Sequence, residues 1–207
     1  MVSRMERMYG SPEIAEQRSR TRKLLAVRSG ERGLELGCGI GFLACEMARE
    51  VGALGRIVAL DASPDMVAAA RSRAQREDLA GRIEFVVGDA AQLGFPSSSF
   101  DFAVAVQVYL FVKDIERALA EAARVLRPGG RLVIVDTDWD SCVWLTGDRE
   151  RHKRVIEART REFNQAHLPP LLPKLLRLAG LALVSTEVHP VVNLRYDADS
   201  SAVRSPT

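Results

Sequence analysis

Three glycines at alternate positions, in Gly33-Leu34-Glu35-Leu36-Gly37-Cys38-Gly39-Ile40-Gly41, constrain this chain more than any other feature. The stretch reads as a short strand with an acidic residue at its end, followed by a turn that opens a helix from about Phe42 to Val51. Glycine at this spacing lets the backbone turn tightly and approach a ligand with no Cβ in the way. The following helix aims the positive end of its dipole at the same place. The dinucleotide pattern G-x-G-x-x-G fails here, because its third glycine would fall at Phe42.

The next strands repeat the arrangement. Arg56-Ile57-Val58-Ala59-Leu60-Asp61 is an apolar run ending in a carboxylate. Asp61 lies about 20 residues beyond the glycines, where a doubly wound fold sets the acid that takes a ribose diol. One ionised carboxylate suits two hydroxyl donors, since it has two acceptor oxygens and no donor. Ser63-Pro64 then starts a helix as N-cap and first helical residue. Ile83 to Val87 forms a third apolar run, ending in Gly88-Asp89-Ala90. A single Asp after a strand is an ordinary turn or cap residue; Glu35, Asp61 and Asp89 end three successive strands. Taken with E-x-G-x-G-x-G, this resembles motif I and the following acidic positions of the class I S-adenosylmethionine (SAM)-dependent methyltransferases. The resemblance implies SAM as cofactor, with Glu35, Gly37, Cys38, Gly39, Gly41, Asp61, Ala62, Met66, Asp89 and Ala90 around it. In that family the acid at Asp89 accepts from the adenine amino group, and the next backbone N–H meets a ring nitrogen.

Strand-like and helix-like segments alternate along nearly all of the 207 residues. Asp101 to Val106 reads as a buried strand and Lys113 to Leu126 as a helix with Ile115, Leu119, Ala122 and Leu126 on one face. Pro128-Gly129-Gly130 ends that helix and turns into a fifth strand, Arg131 to Asp136. Strands separated by helices of this length imply right-handed crossovers. The expected fold is α/β, a Rossmann-like, doubly wound, mostly parallel sheet with helices on both faces. Its ligand belongs outside the strands' carboxyl ends.

Composition is that of a globular protein, with 47% apolar and 27% charged residues and a net charge of +2 that is spread along the chain. The Arg-rich stretches 18–23 and 149–154 read as solvated helix faces, so no nucleic-acid partner is expected. No run approaches a membrane span or a signal-peptide core. Cys38, Cys45 and Cys142 show no C-x-x-C spacing, which fits a reduced, cytoplasmic compartment. A monomer or homodimer is expected.

The segment from Gly88 to Asp101, GDAAQLGFPSSSFD, is similar to the "GDA..LPF...SFD" stretch of the ubiquinone/menaquinone-biosynthesis-type methyltransferases, and Val125 to Leu132 to their "VLKPGG" turn. The resemblance implies transfer of a methyl group to a small-molecule acceptor. Methyl transfer from a sulfonium is an in-line displacement that needs geometry and exclusion of water, with a base only where the acceptor loses a proton. Gln107, Tyr109 and His167 are the candidate catalytic residues. Gln107 also falls beside the cofactor, Tyr109 either faces the methyl group or packs under the next helix, and His167 is either a base or an exposed loop residue. Asp136, Asp138 and Asp140 alternate after the fifth strand, but a Mg²⁺ site wants several converging oxygens and no second acidic cluster is evident; no metal is expected. Arsenite methyltransferases belong to the same broad group and bind through thiolates, and no thiols cluster here.

Ser11-Pro12 begins a helix running to about Val27, where members of the group place a lid over the cofactor. Arg20 or Arg22 would meet the carboxylate of the SAM methionine moiety, for which guanidinium geometry is suited. Leu181 to Leu194 reads as a sixth strand after Gly180. Residues 195–207 are polar and Ser-rich, too poor in apolar side chains for the family's antiparallel seventh strand. The expected division is a helical lid at 1–30, the SAM-binding domain at 31–194 and a flexible tail at 195–207, with six parallel strands. A SAM-binding module with weak or lost catalysis is the alternative to an active enzyme.

Overall fold

The computed structural model describes residues 2–142 and 147–190. Five strands form one sheet in the order β3-β2-β1-β4-β5, every neighbouring pair parallel: β1 Arg32–Leu36, β2 Arg56–Asp61, β3 Ile83–Val87, β4 Phe100–Val106 and β5 Leu126–Val135. Helices α1 Val2–Tyr9 and α2 Pro12–Leu25 precede the sheet. Then α3 Phe42–Val51, α4 Pro64–Arg76, α5 Ile115–Val125, α6 Arg149–Thr160 and α7 Leu172–Leu178 follow in turn. Chain order reverses between β1 and β4, so a crevice opens at the carboxyl ends of those two strands.

Alternation along each strand feeds two cores. Ile57, Ala59, Phe85, Phe102 and Val104 pack with Leu43, Met47 and Ala48 of α3 and with Val67, Ala70 and Ala74 of α4. Leu34, Leu36, Val58, Leu60, Ala103 and Ala105 face the other way, onto Ile115, Leu119, Ala122 and Val125 of α5. The two faces are closed by helices, which explains why the strands read as near-continuous apolar runs.

Local chemistry sets the helix ends. Ser11 and Ser63 each accept from the amide three residues on, at 3.5 Å from Ile14 and 3.4 Å from Met66, with proline next to the cap. Helix α2 stops at Leu25, slightly before the expected Val27, because Ala26 turns left-handed (φ 47°) and returns its amide to Arg22 and Lys23. Asp114 caps α5 through the Arg117 amide at 3.0 Å, which shortens the helix expected from Lys113.

Two expectations are corrected. Pro128-Gly129-Gly130 is not a turn before the fifth strand but a bulge inside it. Phe100 pairs with Leu126 and Phe102 with Arg131, so the intervening residues leave the register. Gly129 takes φ +77°, and a Cβ on Gly130 would meet the Arg127 carbonyl oxygen at 2.8 Å. The sixth strand does not form in its described part: residues 181–190 have no regular structure, and Val184 and Val188 stand exposed. Among the described residues no strand lies beside them to take their N–H and C=O groups, and an apolar run alone does not make a strand. The rest of that strand, the absence of a seventh and the tail at 195–207 lie outside the described residues.

Candidate active site

The carboxyl ends of the strands carry, in spatial order across the sheet, Asp89, Asp61, the glycine loop, Gln107 and Asp136. At the centre, the glycine loop is fixed by backbone bonds. Cys38 donates to the Leu60 carbonyl and Gly41 to the Cys38 carbonyl, both at 2.9 Å. Gly37 holds φ +68°, and a Cβ there would meet Val108 Cγ2 at 2.3 Å. Gly39 also takes a positive φ, but an added Cβ would meet nothing within 4 Å, so this part of the loop faces open space.

Asp61 ties the loop to its neighbour. One carboxylate oxygen accepts from the Gly39 amide at 2.8 Å, the other from the Ser63 amide at 2.9 Å. Each oxygen keeps a second lone pair for a ligand hydroxyl. Ala62 is exposed beside it and Met66 is buried in the first turn of α4. Asp89 stands exposed two residues beyond β3; its Oδ1 accepts from the Ala91 amide at 2.8 Å and its carbonyl from Gln92, while Ala90 is buried.

Glu35 lies within β1, one residue before its end, and is 5% exposed. Burial, then the charges of Glu46 and Asp61, push its carboxyl well above the usual carboxylate range; Arg18 and the Ala44 backbone oppose this. Its Oε2 is buried without a hydrogen-bond partner. An open glycine cradle beside an orphaned buried acceptor fits a ligand that carries a cationic donor, which would favour the ionised form. The Cys38 thiol is pushed up by burial and by Glu35, and the Cys45 thiol to about 12 by burial, so both stay protonated at neutral pH.

The reading of 18–23 as a solvated helix face is wrong at Arg18, which packs inward. Arg18 is 7% exposed, donates to Glu46 at 2.9 Å and to the Tyr9 carbonyl, and stands 4.7 Å above the Phe42 ring, whose other partner, Arg73, lies at 3.6 Å. The signal was the spacing of Arg18, Thr21 and Leu25, one buried face of α2. Arg20, by contrast, is exposed and paired with Glu16 at 2.8 Å on its own helix, and Arg22 pairs with Glu46 and Glu50.

On the other side of the crevice, Gln107 leaves β4 with φ +57°, its amide donating to the Val135 carbonyl at 2.7 Å and its Oε1 accepting from Thr137 at 3.0 Å. Tyr109, whose place was left open, is fully buried in the α5-side core and starts a 3-10 turn, Tyr109–Phe111. His167 is exposed and its Nδ1 lies 2.7 Å from Asp140. Asp138 accepts from the Asp140 amide and from Ser141. With Asp136 buried at the sheet and Asp140 on His167, the three aspartates do not converge. Among the described residues no group of three or more metal-ligating side chains forms. Trp139 stacks on Phe163 at 5.1 Å, with Phe111 on the same ring's edge. These aromatics, Gln107, Thr137, Glu35 and the loop from Gly37 to Ile40 line a cleft of about 2500 Å³ that reaches Arg18 and Arg20.

A 3-2-1-4-5 parallel sheet with a non-dinucleotide glycine loop, an acid at or beside each of three strand ends and a cleft over β4 and β5 is the arrangement expected of the nucleotide half of a class I SAM-dependent methyltransferase domain. Residues 34–134, just under half of the chain, match the methyltransferase domain family. It is 39% identical over 140 residues to an uncharacterized 37.1 kDa protein in transposon Tn4556 of Streptomyces fradiae, covering 68% of this chain and 40% of that protein. It is likewise 39% identical over 116 residues to a ubiquinone/menaquinone biosynthesis C-methyltransferase of Pseudomonas putida, covering 56% and 45%. The chain thus spans less than half the length of either relative. In fold it is similar to phosphoethanolamine N-methyltransferase 2 of Haemonchus contortus, solved with S-adenosyl-L-methionine (TM-score 0.65, 23% identity, 80% of this chain and 36% of that one).

Proposed function

We propose that this protein transfers the methyl group of SAM to a small-molecule acceptor. The observation that carries the reading is the loop geometry: Asp61 holds Gly39 at 2.8 Å beside an open, Cβ-free cradle. SAM supplies an activated methyl on a sulfonium, and the protein's part is to bind, orient and keep out water. Asp61 would take the ribose hydroxyls, Asp89 and the Ala90 region the adenine, and Glu35 the methionine amino group. Cys38 and Met66 would supply apolar contact, and Gln107 the approach to the methyl. Arg20 or the buried Arg18 would answer the methionine carboxylate. Residues 1–30 would act as the lid: Arg131 of β5 donates to the Leu25 carbonyl at 2.7 Å and so ties α2 to the sheet.

The Pseudomonas relative is named for C-methylation in quinone biosynthesis, which supports a small acceptor. We place the protein in the cytoplasm, as a monomer or homodimer without a nucleic-acid partner; among the described residues no helix is long and apolar enough to cross a membrane. A second reading is a SAM-binding module with weak catalysis, favoured by the uncovered outer edge of β5 among the described residues. Calorimetric titration with S-adenosylhomocysteine tests the cofactor, and no heat together with a response to NAD would refute it. Labelled SAM against a panel of phenols, amines and quinols then separates enzyme from binder.

A further inference from the structure

Arg73 is a nearly buried cation that the reading above leaves without a task. It stands on α4, one turn beyond Ala70, with its side chain 11% exposed. Helix α4 rides against the glycine loop there: a Cβ on Gly41 would meet Ala70 Cβ at 2.9 Å. From this position Arg73 Nε donates to the Ile40 carbonyl at 3.0 Å, and the guanidinium lies 3.6 Å over the Phe42 ring. The Ile40–Gly41 peptide is thereby held at both ends, because its N–H donates to the Cys38 carbonyl at 2.9 Å. A peptide that precedes glycine flips readily, since glycine takes either sign of φ. Gly41 sits at φ +82°, and with no side chain of its own it depends on these two bonds to stay there. The remaining nitrogens of Arg73 are anchored elsewhere, 3.3 Å from Glu77 on the same helix and 3.4 Å from Glu6 of α1. Arg76 meets the same Glu6 oxygen at 3.5 Å.

We propose that Arg73 is a positioning residue for the cofactor: it fixes the Ile40–Gly41 peptide plane of the glycine loop and ties that loop to helix α1. This role rests on the methyltransferase reading, because it acts through the loop that would bind SAM. The geometry requires arginine. A guanidinium is a planar fork of five donors, so one side chain bonds the Ile40 carbonyl through Nε, meets two carboxylates through its terminal nitrogens and lays its flat face on Phe42. Lysine would keep a charge for Glu6, Glu77 and the ring, but it has a methylene where arginine has Nε. The Ile40 carbonyl would then lose its partner while the charge pairs remain. The two functions are therefore separable: the pairs hold helices together, and the Nε bond holds the loop. Glu6 lies in the proposed lid, so lid and loop share this one side chain.

The test combines calorimetry with S-adenosylhomocysteine, thermal melts and NMR on the full chain. Arg73→Lys should melt close to the wild type yet bind S-adenosylhomocysteine about tenfold more weakly, the scale of one lost charged hydrogen bond. Its Gly41 amide signal should shift, because the carbonyl of that peptide has lost its donor. Arg73→Met should show the same shift and weakening, with a lower melting temperature besides. Weakening confined to Arg73→Met, in step with its lost stability, would mark a merely structural residue and overturn the proposal. So would a Gly41 amide that moves in neither variant. In the wild type the Arg73 Nε–H should exchange slowly with solvent; exchange as fast as that of an exposed arginine would sink the proposal with no variant needed. A wild type that binds no S-adenosylhomocysteine, with the Gly41 amide still shifting in the variants, would overturn the methyltransferase reading and the cofactor role with it.

Discussion

In the proposed reading single side chains at the strand ends carry the chemistry, and their surroundings set the expected effects. Asp61 spends one lone pair of each oxygen on a backbone amide and offers the other to a ligand. Asp61→Ala should therefore both loosen Gly39 and unpair the ribose hydroxyls, weakening S-adenosylhomocysteine by about 1–3 kcal/mol in calorimetry. The sign for Asp136 runs the other way from an ordinary salt-bridged acid. Burial lifts its folded carboxyl to about 7, well above the ordinary carboxylate range, so between the two the native state binds more protons than the unfolded one. Its contribution to stability is fully present below about pH 4 and is lost as pH rises through 7. Asp136→Asn should remove that slope, and urea melts of wild type and variant at pH 5 and pH 8 should differ by on the order of 3 kcal/mol in ΔΔG. Asp61 was legible in the sequence because its spacing from the glycines is set by one βαβ unit. The bonds from Gln107 to Val135 and Thr137 were not, because these residues meet only once β4 and β5 are paired.

At the scale of elements, α2 is held by polar contacts more than by its apolar face. Arg18 reaches Glu46 of α3 and stacks on Phe42, while Arg131 of β5 reaches the Leu25 carbonyl and Glu31, each at 2.7 Å. Replacing Arg18 by Met keeps the stem but leaves the partly buried Glu46 with one cation fewer, and should cost about 1–3 kcal/mol in thermal melts. It also removes the cation that opposes the rise at Glu35, so Glu35 should titrate higher still, an effect visible in side-chain NMR. Start signals such as Ser11-Pro12 and Ser63-Pro64 were readable because caps act within four residues. The Pro128–Gly130 bulge was misread as a turn: a proline-glycine pair punctuates either way, and the register with β4 decides which. The apolar run after Gly180 looked like a strand for the same reason, since periodicity reports a face without supplying a partner.

For the whole molecule, the cleft runs from the glycine loop after β1 across the ends of β4 and β5, and the proposed reading sets the cofactor toward β1 to β3 and the acceptor toward β4 and β5. Because Asp138 is engaged by Ser141 and Asp140 by His167, and no metal-ligating group of three forms among the described residues, methyl transfer should proceed unchanged after EDTA treatment; activity lost to EDTA and restored by Mg²⁺ would contradict this. The sequence by itself determined the doubly wound class, the glycine loop and the three acids beside it, because these depend on short-range spacing and on crossovers of one hand. Only the tertiary structure decided that Arg18 rather than Arg20 is the buried arginine of α2, that Tyr109 belongs to the core and that Gln107 is tied to Val135 and Thr137 beyond β4. Each of these depends on burial and on contacts between segments far apart in the chain, and a group's charge and exposure are properties of its surroundings, not of its place in a motif.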